Sequence, residues 1–180
     1  MIRIFLIICC LLSVHKDEPT ISWNEFQLLS WADFKAKPIN SSSAVAITAS
    51  GITFGFSISQ TDSKQVVGFT TEVFAHFYPE QSWYKIEATD SHILGHEQLH
   101  FDITELFARK FRQRISQLMI SNNVRTELKE IHNIINTELS KMQNKYDIET
   151  DHSRNHGAQA SWKLFITKEL HKLSKYKSLD

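Results

Sequence analysis

Two histidines four residues apart, His96 and His100, flank a glutamate in the sequence HEQLH at residues 96–100. On an α-helix this spacing puts both imidazoles on one face, one turn apart, where they can bind a single zinc ion. Glu97 is rotated by about 100° around the helix axis, so it can lie beside the metal without binding it. There it can take a proton from zinc-bound water, whose pKa the metal lowers to about 7. The pattern predicts a zinc site with Glu97 as general base.

A catalytic zinc ion also needs a third protein ligand and one open position. The polar segment Tyr146–Gly157 is the only other cluster in the sequence with ligand chemistry, and it contains both His152 and His156. The segment follows a predicted pair of helices, so the chain can return there to the first of them. From the residues alone either histidine is eligible as the third ligand. The alternative for each is a histidine on the surface.

Other polar residues near these positions are assigned supporting roles. Asp102, two residues after the second histidine, can accept a hydrogen bond from a ligating imidazole. Tyr146 is a candidate donor to the oxyanion that forms during hydrolysis, and its alternative role is packing in the core. Glu105 points away from the histidine face and is interpreted, like Arg109, as structural or as a solvated charge.

The composition excludes one large class of function and favours a single domain. The chain has 180 residues, of which 22% are charged, and its formal net charge is zero. A nucleic-acid-binding protein is expected to carry a basic patch, which this balance does not indicate. The length suffices for one domain with a core, and we assign residues 21–180 to it.

The first residues differ from the rest. Arg3 precedes the apolar run Ile4–Val14, which is too short to span a bilayer comfortably and is typical of a secretory signal. No clear small-residue cleavage site follows, so an uncleaved N-terminal membrane anchor is the alternative. We set residues 1–20 aside as signal peptide or anchor with a spacer, and expect an exported protein, whether periplasmic, cell-surface or secreted. Since Cys9 and Cys10 both lie here, the mature chain would hold metal through imidazole and carboxylate.

Strand-forming residues fill the first half of the predicted domain. β-Branched and aromatic residues dominate residues 44–59, and Ser50–Gly51 predicts a tight hairpin turn within them. A second turn at residues 61–64 leads to a third strand at residues 65–78. The end of that strand, Phe74–Tyr78, is the predicted sheet edge to which an extended peptide would add.

The second half has the apolar periodicity of helices. Side-chain oxygens at residues 89–91 predict the start of a long helix that continues to Leu118. A second helix is predicted at Val124–Met142, and a last one at Trp162–Leu173. We therefore expect an α+β fold of zincin type, in which a small antiparallel sheet packs on the HExxH helix and further helices close the other side.

The chain resembles a bacterial family, domain of unknown function 922, whose members are predicted secreted zinc-dependent proteases. The matching residues are Leu29–Phe34 with Pro38, Ser82–Trp83, His96–Ile103 with Glu105 and Arg109, and Tyr146–Asp147, Glu149–Thr150, His152, Asn155, Gln159 and Trp162. The resemblance implies that His152, and not His156, is the third ligand. It also accounts for Asp102, which departs from the hydrophobic residue usual in other zinc proteases.

Together these observations predict one zinc ion held by His96, His100 and His152, in a peptidase that acts on a peptide or protein substrate. The first alternative is a non-catalytic, exported zinc-binding or envelope-associated module. The second is a helical interaction protein in which the motif is accidental. Membrane contact is expected only through an uncleaved N-terminal segment, and the sequence does not indicate an oligomeric state.

Overall fold

The computed structural model describes residues 18–178, so residues 1–17 of the predicted export segment lie outside the described part of the chain. The described residues form strands β1 Ile21–Ser22, β2 Ala46–Ile47, β3 Ser50–Gln60, β4 Val66–Phe77 and β5 Trp83–Tyr84, and helices α1 Ser91–Ile115, α2 Val124–Glu149 and α3 His156–Lys172. Short 3₁₀ turns occupy Trp31–Asp33, Ile86–Ala88 and Ser174–Tyr176. No helix within residues 18–178 is long and apolar enough to cross a membrane.

A long antiparallel hairpin of β3 and β4 forms most of the sheet. The predicted turn at residues 61–64 is confirmed: the Thr61 amide donates to the Gln65 carbonyl at 2.9 Å, and Lys64 takes a positive φ of 63°. Strand β1 adds to the far side of β4, which gives the order β1-β4-β3, and β2 pairs with β5 in a separate small sheet. The predicted α+β class with a small antiparallel sheet is therefore confirmed.

The predicted tight turn at Ser50–Gly51 is wrong, because β3 runs through both residues without a break. Gly51 pairs with His76 in the hairpin, and its φ is not in the left-handed region. The ring of Tyr78 packs over this residue, since a Cβ built on Gly51 would lie 3.4 Å from it, an ordinary van der Waals distance.

The prediction that Phe74–Tyr78 forms a sheet edge is also wrong. Strand β4 lies in the middle of the sheet, since His76 and Phe77 pair with β1 on one side and with β3 on the other. A little earlier, the Arg112 guanidinium donates to the Val73 carbonyl at 2.6 and 3.0 Å. The edges of the three-stranded sheet are the short strand β1 and the long strand β3.

The face that β4 presents to the core changes along its length. Val73 and Phe77 are buried, as their alternation predicts, but Val67 is 53% exposed while Val66 is buried. The hairpin register shifts at Ser59/Gln60, opposite the start of β4. Because side chains alternate with a period of two, such an irregularity reverses which residues face inward.

Helix α1 lies at the centre of the fold and contacts the sheet as well as α2 and α3. Its first turn is capped by Asp90, whose carboxylate accepts from the Ile93 amide at 2.8 Å. Its side chains supply much of the core: Leu99, Phe101, Ile103, Leu106, Phe107, Ala108, Phe111 and Ile115.

Helix α2 continues to Glu149, seven residues beyond the predicted end at Met142. The extension has a physical reason, because Tyr146 is fully buried and anchors the last turns of α2 against α1. Helix α3 begins earlier than predicted, at His156, where the Asn155 side chain caps it by accepting from the Ala158 amide at 3.1 Å. The predicted polar junction therefore shrinks to a short turn between two helices.

Candidate metal centre

The two histidines of the HEQLH sequence lie one turn apart on α1 and face α2. Their Nε2 atoms are 3.2 Å apart, and the rings are almost perpendicular, with an interplanar angle of 84°. His96 is 4% exposed, whereas the His100 side chain retains 14% exposure. The spacing therefore places two imidazole nitrogens together, as the sequence predicts.

Asp147, from the last turns of α2, completes a triangle of ligand atoms. Its Oδ1 lies 2.9 Å from Nε2 of His100 and 3.2 Å from Nε2 of His96. Two ligand atoms on a tetrahedral zinc ion, with bonds of about 2.0–2.1 Å, lie about 3.3 Å apart. Within residues 18–178 this is the one group of three or more His, Cys, Asp or Glu side chains close enough together to hold a metal ion.

The electrostatics of the triangle call for a positive charge between its corners. Burial alone would lower the pKa of His100, but the carboxylates of Asp147 and Glu97 outweigh it and raise that pKa. Burial likewise acts to raise the pKa of Asp147, yet hydrogen bonds from His100 and His96 hold it well below its usual range. The three lone pairs are compatible only when protons or a metal ion lie among them.

Glu97 is buried beside the triangle but is not a corner of it. Its negative charge contributes to the raised pKa of both His100 and Tyr146, which places the carboxylate next to the site. Its backbone carbonyl accepts from the Thr48 hydroxyl at 3.2 Å, so the chain leading into β3 lies against this turn of α1.

Tyr146 forms the inner wall of the site. Its ring stacks on His96 with centroids 4.5 Å apart and meets His100 nearly edge-on at 4.9 Å. Burial, together with the charge of Glu97, raises the pKa of its hydroxyl. That hydroxyl donates to the His96 backbone carbonyl at 3.4 Å. Tyr146 is fully buried, so it has the packing role given as its alternative and not the predicted role of oxyanion donor.

Asp102 does not contact an imidazole, contrary to the supporting role predicted for it. Its Oδ1 accepts from the Trp23 indole at 2.8 Å and from the Gln98 amide at 2.9 Å. Gln98 in turn accepts from the Leu29 amide at 2.8 Å through its side-chain oxygen. Burial raises the pKa of Asp102, and the two hydrogen bonds oppose that rise. The residue ties the N-terminal segment to α1.

The structure does not bring His152 to the two histidines. It lies in the turn after α2, where Asp151, His152 and Ser153 take three successive positive φ values of 48°, 50° and 75°. The His152 amide donates to the Asp147 carbonyl at 2.8 Å, which closes the end of the helix, while the His152 side chain is exposed. The longer α2 explains the difference, since it delivers Asp147 to the site before the turn begins.

His156, the alternative third ligand, also lies outside the triangle. It is the first residue of α3 and stacks flat on His92, with ring centroids 3.7 Å apart. His92 lies 2.7 Å from the Ser153 carbonyl through its Nε2. This stack therefore closes the junction between the start of α1 and the start of α3.

The sequence predictions gave no role to two residues of the candidate site, Asp147 and Gln143. Gln143 contacts His100 through its side-chain oxygen, 2.5 Å from Nδ1. The two residues are four apart, with the apolar Tyr146 beside them, which is a helical spacing. Extending the second helix by two turns would have placed both on the face toward the histidines.

Two imidazoles on one helix and a carboxylate on the next define the class of the site, a candidate two-histidine, one-carboxylate metal centre. The chain belongs to the family described as Bacterial protein of unknown function (DUF922), whose model matches residues 35–157. Comparison with curated proteins and with solved structures gave no match. The matched range contains Glu97 and all three corners of the triangle.

Proposed function

We propose that the protein is a zinc-dependent hydrolase of peptides, and that His96, His100 and Asp147 hold one zinc ion. The observation that carries the proposal is the triangle of Nε2, Nε2 and Oδ1 atoms with edges of 2.9–3.2 Å. Its edges lie within a few tenths of an ångström of those around tetrahedral zinc, and three protein ligands leave the fourth position open. Asp147 thus takes the place that the sequence predicted for His152.

The donor set suits this metal. Neutral imidazole and carboxylate bind zinc well, and no thiolate is needed. A bound zinc ion would act as a Lewis acid on the scissile carbonyl and would lower the pKa of its water to about 7.

Glu97 has the role of the base in this proposal. It takes the proton from the attacking water and passes it to the leaving amine, since its carboxylate is buried next to the triangle without being a corner of it. Tyr146 holds the ring of His96 in place from behind. Each of these groups is fixed on α1 or α2, so the site is preorganised.

An open sheet edge near the site favours a peptide as the substrate, because an extended peptide can pair with such an edge as an added strand. Strand β3 has a neighbour on one side only, and the Ser50 hydroxyl at its start lies 2.7 Å from that of Thr104 on α1. An extended peptide that added to β3 would run alongside the helix that carries Glu97. This strand replaces the edge predicted at Phe74–Tyr78.

The experiment that tests the proposal measures zinc content and hydrolysis together. The purified protein is loaded with zinc, freed of excess metal and analysed by elemental mass spectrometry, then incubated with labelled casein and a peptide library. We expect one zinc per chain and cleavage that a chelator abolishes. Bound zinc without cleavage would favour the non-catalytic exported module, and absence of zinc after reloading would overturn the proposal.

Metal removal should also lower thermal stability. A ligand at a hundred times its Kd stabilises the folded state by about 2.7 kcal/mol. We therefore expect the melting temperature to fall when zinc is stripped and to recover when zinc, but not magnesium, is restored, because magnesium prefers oxygen ligands. Calorimetry of the stripped and reloaded protein measures the difference.

A further inference from the structure

Gln143 lies one turn before Asp147 on α2, and its amide spans the gap to α1. The amide nitrogen donates to the His100 carbonyl at 2.9 Å and to the Thr104 hydroxyl oxygen at 3.2 Å. A backbone carbonyl only accepts hydrogen bonds, so the atom of Gln143 that faces the His100 carbonyl must be the amide nitrogen. The backbone of α1 thereby fixes which way the Gln143 side chain faces.

The other end of the amide determines where the imidazole of His100 carries its proton. The Gln143 Oε1 atom lies 2.5 Å from Nδ1 of His100. An amide oxygen only accepts, so Nδ1 must be the protonated nitrogen. In a neutral imidazole the lone pair is then on Nε2, and Nε2 is the atom that faces Asp147 and His96.

The two histidines differ in this respect. Nδ1 of His96 is buried and has no hydrogen-bond partner within residues 18–178. The ring of His96 is held by stacking on Tyr146 instead. Control of the protonated nitrogen by a side chain therefore acts on His100 alone.

We propose that Gln143 is a positioning residue for the metal centre, which fixes the ring orientation and the tautomer of His100 so that Nε2 faces the ion. The inference rests on the zinc site proposed above. Since Gln143 and Asp147 lie on the same face of α2, docking of that helix brings the third ligand and the partner of His100 to α1 in one step. Such partners of ligating histidines affect metal affinity about 10–100-fold.

Zinc affinity of the purified full-length chain, measured by competition with a chelator, tests the proposal. We expect Gln143→Met, which lacks an acceptor, to weaken binding about 10–100-fold. Gln143→Glu keeps an acceptor for Nδ1 but loses the donor to the His100 carbonyl, so it should bind zinc less tightly than the parent and more tightly than Gln143→Met. The matched control is Thr104→Val, which removes another partner of the same amide while leaving the contact to His100, and it should bind zinc like the parent.

Two outcomes would overturn the inference. One is a Gln143→Met protein that binds zinc as tightly as the parent. The other is a Gln143→Glu protein as weak as Gln143→Met, with both equally destabilised in thermal unfolding of the metal-free forms. The second result would mean that the amide merely holds the helices together.

Nitrogen-15 NMR of the imidazoles separates this inference from the proposed function. A protected proton on Nδ1 of His100 in the parent, lost in Gln143→Met, is expected with or without zinc. A parent that binds zinc but lacks this proton would refute the role of Gln143 and leave the hydrolase proposal standing. A parent with the proton but no zinc would refute the hydrolase and the metal-positioning role together, while leaving the tautomer assignment.

Discussion

Helix α1 carries two buried polar pairs with the same spacing of four residues, and they are neutralised in opposite ways. In the second pair, Arg109 donates to Glu105 at 2.7 Å, and Arg112 adds a contact to the same oxygen at 3.3 Å. In the first pair, His96 and His100 meet each other and a carboxylate, so three groups with lone pairs converge. One cluster contains a fixed counter-charge in its arginines, whereas the other is neutralised by protons on its imidazoles or by a metal ion.

This difference separates a structural cluster from the proposed ligand site. The guanidinium of Arg112 also reaches the carbonyls of Val73 and Tyr176, so the second cluster joins α1 to the sheet and to the C-terminal segment. Removing a residue there should weaken the fold. Removing one from the triangle should weaken metal binding instead, and the predictions below test that separation.

The largest effect is expected when Asp147 is changed to alanine. A tight zinc site has a binding free energy of ~10–16 kcal/mol shared among few ligands, so losing one should weaken binding by about a thousandfold or more. His152→Ala is the matched control from the neighbouring turn and should bind zinc as the parent does. Isothermal titration or chelator competition measures both. Loss of zinc in His152→Ala with retention in Asp147→Ala would reverse the assignment.

Glu97→Gln should separate binding from turnover. The amide keeps the shape of the side chain but cannot accept a proton, so zinc-dependent cleavage should fall about 10²–10⁴-fold. Zinc content should stay at one per chain, because Glu97 is not a corner of the triangle. Steady-state hydrolysis and elemental analysis on the same sample check the two halves. Full activity in this variant would exclude Glu97 as the base.

Glu105→Gln should act on stability and leave the metal in place. The carboxylate is 2% exposed, and its loss leaves the buried Arg109 and the partly buried Arg112 without their counter-charge, at a cost of about 3 kcal/mol. The control is Glu138→Gln, at the half-exposed pair with Arg114, where the change should be below about 1 kcal/mol. Urea unfolding of the zinc-loaded proteins gives both values. Equal losses would show that burial of the first pair does not matter.

The smallest effect is expected for Trp23→Phe. The substitution removes the indole donor to Asp102 but retains an aromatic ring, so it should cost about 1–2 kcal/mol. Zinc affinity should not change, since Asp102 contacts no ligating imidazole. Thermal unfolding and chelator competition suffice to check this. A drop in zinc affinity would restore the role that the sequence predicted for Asp102.

Local patterns in the sequence were enough to predict the class of fold and the part of the site on α1. His96, Glu97 and His100 lie within one helical turn and a half, so their relative positions follow from helix geometry alone. The turn at residues 61–64 and the strand after it were predicted for the same reason. Each depends on neighbours in the chain.

The errors concern contacts between distant residues. Gly51 was predicted to form a turn, but it lies within β3 and packs against Tyr78, which is 27 positions further along the chain. The end of α2 has a polar sequence, yet the helix continues through it because Tyr146 is buried against α1. The longer helix brings Asp147, and not His152, to the two histidines. Asp102 likewise accepts a hydrogen bond from Trp23, which is 79 residues away in the sequence. Sequence periodicity carries no information about such partners.

The three corners of the triangle come from two consecutive helices, and this has a consequence for the order of folding. His96 and Asp147 are 51 residues apart, and the loop between them is closed by the α1–α2 pair without any strand. Helical pairs form faster than sheets, whose partners are more distant. An ion captured by that pair would hold it closed while β3 and β4 dock, so the protein should refold faster when zinc is present from the start than when it is added afterwards.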